Sequence, residues 1–309
     1  MCSTIWTLSR DAMSMMGKPK TVPARLQLAL LAALCVALPA QAWAQGLGGR
    51  SSPRPQSNVQ IWSSSEGRYG RPIHEGLPEI KAGFTFCRLW YDADRRMDSG
   101  LGWSTDYPAA DGNFLARLEE LTPIRIARWE NGDPGIAALR ATDPQLLQCP
   151  FLFMTDPGSV DFSDAEIAGL REYLMRGGFF WADDMWGNYA WRNFERQITK
   201  ILPEYTIQEL TPEHPLFAVL YSVEEIPQIP SWQSWSRNGG ATSEFGAETA
   251  TPHIRAIFDE EGRLLVLISF NTDIGDGFER EGDRPDFFHL FSPKAYGLAI
   301  NIMIWAMSH

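Results

Sequence analysis

Three apolar runs in this chain each end in aspartate: "PFLFMTD" (Pro150 to Asp156), "FFWADD" (Phe179 to Asp184) and "LVLISFNTD" (Leu265 to Asp273). Runs so short and so continuously apolar read as strands buried on both faces, since a strand with one wet face would alternate. Between the first two lies "SDAEIAGLREYLMRGG", with Ser163 three residues before Glu166 in capping-box spacing and Gly177 as a stop. Strand, helix and strand in that succession imply a mostly parallel sheet with helices on both faces. The expected architecture is an α/β/α three-layer sandwich with a flavodoxin-like sheet.

Other segments fill in that frame. "GFTFCRLWYD" (Gly83 to Asp92) and "IRIARW" read as strands, and "NFLARLEEL" (Asn113 to Leu121) has helical spacing. "WRNFERQITKIL" places Phe194, Ile198 and Ile201 or Leu202 on one helical face, and "YTIQEL" allows a further strand. "HIRAIFDEEGRLLVLISF" joins two apolar runs through an acidic turn containing Gly262, which predicts an antiparallel hairpin at one edge. "AYGLAINIMIWAM" is apolar nearly all round and reads as a buried helix, not a membrane span.

The first 80 residues have a different character. Lys18, Lys20 and Arg25 precede the apolar run Leu26 to Leu38, and Ala42-Trp43-Ala44 follows in small-x-small form. Residues 1–44 are therefore expected to be a secretory signal peptide cleaved near Ala44, with an uncleaved anchor as the alternative. Residues 45–80 are rich in Gly, Ser, Pro and Arg and read as a flexible arm, and residues 81–309 as one α/β domain. The expected location is periplasmic or secreted, with no transmembrane segment after cleavage. Four of the 27 basic and one of the 38 acidic residues lie in 1–44, leaving 23 against 37, a net charge of −14. A surface so acidic argues against nucleic acid as a partner. Cys87 and Cys149 remain after cleavage. An oxidising compartment permits a disulfide between them, while two buried thiols is the simpler account.

In open parallel sheets, ligands bind beyond the carboxyl ends of the strands. Asp92, Asp156, Asp183, Asp184 and Asp273 all follow strands, so several carboxylates are expected on one rim. Neighbouring strand residues point to opposite faces, so Asp183 and Asp184 should have different jobs, one facing the crevice and one bonding backbone donors. Clustered carboxylates need a cation, a shared proton or good solvation. No cofactor is predicted, although oxygen ligands would suit a divalent cation. His214 in "PEHPLF", held extended by Pro215, is a candidate acid–base partner or a structural turn residue. Trp232 and Trp235 in "PSWQSWSRNGG" suit a sugar ring, or else pin a long loop to the domain. No Walker A, GxGxxG, GxSxG or HExxH pattern occurs.

The succession "DYPAADGNFLARLEELT", "PFLFMTDPG", "LREYLMRGGFFWADD", "EHPLF", "SFNTDIGDGFE" and "AYGLAINIMIW" resembles the family called domain of unknown function 4159, over roughly Gly83 to His309. That family is similar to the class I glutamine amidotransferase-like group, which includes the ThuA-like proteins. The resemblance implies the same three-layer sandwich. Aligned on "GG", Asp183 falls where that group carries a nucleophilic Cys, and "HPLF" with "YSVEE" looks like the ThuA-like "HP" stretch. Without a thiolate, glutaminase chemistry is not expected. The leading expectation is a periplasmic domain that binds an envelope-related, carbohydrate-like ligand through Asp156, Asp184, Asp273, Trp232 and Trp235. The alternatives are a hydrolase using Asp183 with His214, or a non-catalytic assembly component with an envelope protein partner in a membrane-associated complex.

Overall fold

A computed structural model describes residues 61–63, 72–74, 76–78, 83–93 and 101–308. The signal segment expected over residues 1–44 lies outside the described residues. Seven strands form one sheet: β1 (Phe86–Leu89), β2 (Ile136–Leu139), β3 (Phe151–Met154), β4 (Phe179–Ala182), β5 (Gln208–Leu210), β6 (His253–Phe258) and β7 (Leu264–Phe270). Their spatial order is β2-β1-β3-β4-β7-β6-β5. The first five in that order run parallel, and β6 pairs antiparallel with both β7 and β5. This is the expected mostly parallel sheet with an antiparallel edge.

The helices are α1 (Ala109–Leu121), α2 (Asp164–Met175), α3 (Gly187–Ile201), α4 (Trp232–Arg237), α5 (Ile274–Glu279) and α6 (Pro285–Ser308). α1, α5 and α6 pack on one another, and α2 packs on α3, which gives two helical layers around the sheet. Ser163 caps α2 by accepting from Glu166 N, while Glu166 Oε2 accepts from Ser163 N at 2.9 Å, so two orphan donors are satisfied. All four residues of β3 and of β4 are buried, with Phe153 and Trp181 edge to face at 5.2 Å. Among the described residues, no helix is long and apolar enough to cross a membrane.

Two expectations change. "IRIARW" forms only isolated bridges, Ile126 with Phe84 and Arg128 with Pro134, because just Ile126 and Ala127 in that stretch are buried. The edge strand is instead the Ala-rich β2, which follows ten residues later and is buried throughout. Cys87 and Cys149 are joined as a disulfide. Within the stretch read as an arm, Trp62 is buried: its N–H donates to Asn113 Oδ1 at 2.6 Å, and Asn113 Nδ2 donates back to its carbonyl at 3.1 Å.

Candidate functional site

Register places the acids. β3 and β4 pair with Met154 opposite Ala182, so Asp156 and Asp184 stand level, each two residues beyond the last pair. In a pleated sheet those positions share a face, and Asp183 points the other way. Asp184 lines an open cleft of about 260 Å³ with Asp156 on its floor. Asp183 is fully buried, and its Oδ2 accepts from Gly275 N at 2.8 Å. The adjacent acids thus face different partners, and the one that lines the cleft is Asp184, itself buried.

The rim is strained. Among the described residues, the non-glycine residues with positive φ are Asp106 (62°), Asp156 (50°), Asp184 (59°) and Asn271 (57°). Left-handed backbone is uncommon outside glycine, and such strain concentrates where surrounding structure over-determines a functional geometry. Side-chain or backbone bonds hold Asp156, Asp184 and Asn271. Asp156 Oδ2 accepts from Gly102 N at 3.0 Å, and Tyr91 Oη donates to the carbonyls of Thr155 and Asp156 at 2.8 and 2.7 Å. Asp184 Oδ1 accepts from Trp186 Nε1 at 3.0 Å. Asn271 donates its N–H to the Met185 carbonyl at 2.7 Å and accepts from Gly187 N at 3.1 Å.

The cleft walls are Trp186, Tyr189 and Phe245, with Glu248 at the α3 amino end. Tyr189 and Phe245 are 50% and 43% exposed, so two aromatic rings stand in solvent beside two carboxylates. The N–H of Asn188 is taken by Glu248 Oε1 at 2.9 Å, and that of Gly187 by Asn271, so this helix start has fewer donors left for an anion.

Behind the cleft the carboxylates accumulate. Asp273 Oδ1 caps α5 by accepting from Asp276 N at 2.7 Å. Asp276 accepts from Arg280 Nε at 3.1 Å and from Trp232 N at 2.5 Å. Arg280 also pairs with Glu279 at 2.6 Å. Arg88, fully buried on β1, grips Asp111 through Nε and Nη2 and donates from Nη1 to the carbonyls of Trp103 and Thr105 at 3.2 and 2.7 Å. That grip fixes the loop carrying Asp106. A methyl group placed on Gly275 would stand 2.7 Å from Asp106 Oδ2, 3.4 Å from Asp273 Oδ1 and 3.6 Å from Asp183 Oδ2, so three carboxylates converge on one glycine.

Burial and mutual repulsion raise these acids. Burial pushes Asp156 up to about 6, partly offset by the Gly102 N–H, and Asp183 likewise to about 6, offset by Ser269 and backbone donors. Burial and Asp276 push Asp106 up to about 8 against the pull of Arg88 and Arg280. Burial, then neighbouring carboxylates, hold Asp184 and Asp273 well above the usual carboxylate range. Every one of these shifts runs toward the neutral form, which donates hydrogen bonds as well as accepting them, and Asp156 and Asp183 are shifted less than Asp106.

The chain matches the model of the family described as Domain of unknown function (DUF4159) over residues 85–307. The chain belongs to this family. No curated protein matches it in sequence. The family model spans every strand and helix described above, from β1 to the last turn of α6, and includes the whole carboxylate rim.

Of the expected site residues only Asp156 and Asp184 line the cleft: Asp183 and Asp273 lie behind it, and His214, Trp232 and Trp235 are elsewhere. The His214 ring packs on Phe258 and Trp305 at 6.0 and 5.2 Å. Phe258 is level with Leu264 at the amino end of β7, whereas Asp183 lies beyond the carboxyl end of β4, two strands away. His214 instead accepts from Leu216 N at 3.2 Å and caps a turn, so the pairing of Asp183 with His214 is not formed. Trp235 meets Phe287 and Phe291 of α6 edge to face at 5.8 and 5.9 Å. Trp232 lies under Arg284 at 4.3 Å, and only its backbone reaches the acids. Both indoles pin α4 to the domain. Asp92 is exposed and pairs with Arg140 at 3.0 Å. Sequence reasoning missed Asp106, Asp276, Tyr189 and Phe245. Of these, Asp276 carried a signal, three residues beyond Asp273 at a helix start.

Proposed function

We propose that this chain is an exported domain that binds a neutral, polyhydroxylated ligand, carbohydrate-like and envelope-derived, in the cleft above β3 and β4. One observation carries the reading: Asp156 and Asp184 stand level at adjacent strand ends, between the exposed rings of Tyr189 and Phe245. An aromatic face takes the apolar face of a sugar ring while carboxyl groups take its hydroxyls. The cleft volume of about 260 Å³ suits a single ring better than a long chain. Acids held toward their neutral form disfavour an anionic ligand less than ionised ones would, yet nothing cationic lines the cleft to attract one.

Export is supported by the charged, apolar and small-residue succession of residues 1–44 and by the Cys87–Cys149 disulfide, which suits an oxidising compartment. Kinship with the amidotransferase-like group is supported by the sharp turn between β4 and α3, in which the "GG" alignment gives the Cys position to Asp183 and the residue of positive φ is its neighbour Asp184. A carboxylate there in place of a thiol points to binding, not glutaminase chemistry.

A hydrolase remains the second reading, and it moves from Asp183 with His214 to Asp184 with Asp156. Asp184, held neutral, would donate a proton while Asp156, with its lower pKa, would serve as base. Thermal-shift measurements against monosaccharides and soluble peptidoglycan fragments test the binding reading, with reducing-end release testing hydrolysis. A shift that is lost in Phe245→Ala supports the cleft. No shift with any of them favours a non-catalytic assembly role with an envelope partner.

A further inference from the structure

Asp106, Asp273 and Asp276 each offer an oxygen, and these oxygens lie within 4.8 Å of one another. A cation of radius suited to oxygen ligands at about 2.0–2.6 Å spans such a set. An acidic cluster alone would not make a site, because carboxylates can share protons. Two further observations point to a missing cation. Asp106 Oδ2 is inaccessible to solvent and has no hydrogen-bond partner. Fully buried Asp183 contributes a second such oxygen, Oδ1, which makes no hydrogen bond of ordinary geometry although the Ser269 hydroxyl lies close enough to favour its ionised form. Asp106 Oδ2 approaches the same point beside Gly275 as Asp273 Oδ1 and as Asp183 Oδ2, the oxygen that takes the Gly275 N–H.

The neighbouring cations, Arg88 and Arg280, pull Asp106 toward its ionised form but make no bond to its Oδ2. Arg280 is engaged with Asp276 and Glu279, and Arg88 with Asp111. A buried acceptor left unmade costs about 1–3 kcal/mol, and more for a charged one. The donors on offer are all carboxylate oxygens, with no His or Cys among them, which selects a hard ion over zinc or copper. Asp106 is the half-buried member of the three, although its Oδ2 is closed off from solvent.

We infer that Asp106, Asp273 and Asp276 form a binding site for one hard divalent cation, Ca²⁺ or Mg²⁺, with Asp183 behind it holding Gly275 in place. The ion would tie the loop after β1 to the start of α5 by replacing shared protons with a single charge. It lies behind the Asp156–Asp184 cleft and does not depend on what that cleft binds.

The test is a calorimetric titration of the EDTA-stripped protein with CaCl₂ and, separately, MgCl₂, with no sugar present. The expected result is one site per chain, with proton release measured in two buffers, because protonated carboxylates must ionise to bind. A thermal midpoint higher by about 5–10 °C at a hundredfold excess over Kd should accompany it. Asp106→Asn and Asp273→Asn, shown folded by circular dichroism, should each weaken binding at least tenfold. An isotherm of many weak sites, or none with either ion up to about 10 mM, overturns the inference. So does unchanged affinity in a folded Asp106→Asn variant. If both variants fail to fold, the wild-type stoichiometry and proton release decide alone.

Discussion

The Asp183 carboxylate accepts the Gly275 backbone N–H at 2.8 Å, so the end of β4 is tied directly to the first turn of α5. The bond links residues 92 apart in sequence and leaves Gly275 no room for a side chain, with Asp106 Oδ2 2.7 Å from where a Cβ would stand. Gly275→Ala in an ordinary helix would stabilise by about 1 kcal/mol. Here it should destabilise by about 1–3 kcal/mol, because the contact is with a carboxylate anchored by its neighbours. Urea denaturation of the variant gives the sign, and a stabilised protein would mean that the three carboxylates do not converge there.

Asp156 supplies a pH dependence with a definite sign. Its folded value, about 6, lies above the usual aspartate value, so the native state holds the proton more tightly than the unfolded chain. Stability from this group is therefore full below about pH 4, falls as pH rises toward 6, and is flat above. Asp156→Asn keeps an acceptor for Gly102 N–H and tolerates the left-handed backbone. The variant should be more stable than wild type by on the order of 2–3 kcal/mol at pH 7.5 and equal to it near pH 4. Chemical denaturation at the two pH values measures this, and an equal difference at both would remove the carboxyl's role.

The Cys87–Cys149 bond closes a loop of sequence separation 62 between β1 and a position two residues before β3. Such a loop is worth about 4 kcal/mol in the chain-entropy account. Reduction, or Cys149→Ala, should lower the denaturant midpoint accordingly. Thiol titration of the unreduced, unfolded domain should find neither cysteine free.

Much of the frame was legible because it rests on local pattern. The β3, β4 and β7 runs, the Ser163–Glu166 cap and the turn at Gly262 all follow from periodicity and turn chemistry. Sheet order was not legible, and it decides the site. His214 follows β5, which the sheet places three strands from β4, so its position in the chain gave no clue to its distance from Asp183. Asp106 comes from an irregular loop positioned by the buried Arg88–Asp111 pair, a contact that no spacing in the sequence encodes. Tyr189 and Phe245 meet at the cleft from α3 and a distant turn. β2 went unnoticed because "IAAL" is weak in β-branched and aromatic residues and owes its place to β1 beside it.

Calorimetric titration of soluble peptidoglycan fragments and their component sugars into the wild-type domain and Phe245→Ala tests the cleft itself. Binding with one site per chain, weakened at least tenfold by the loss of the Phe245 ring and by Asp184→Asn, is the result expected here. Saturable binding that neither substitution alters would place the ligand elsewhere on the domain, and no binding by any fragment would contradict the proposed function.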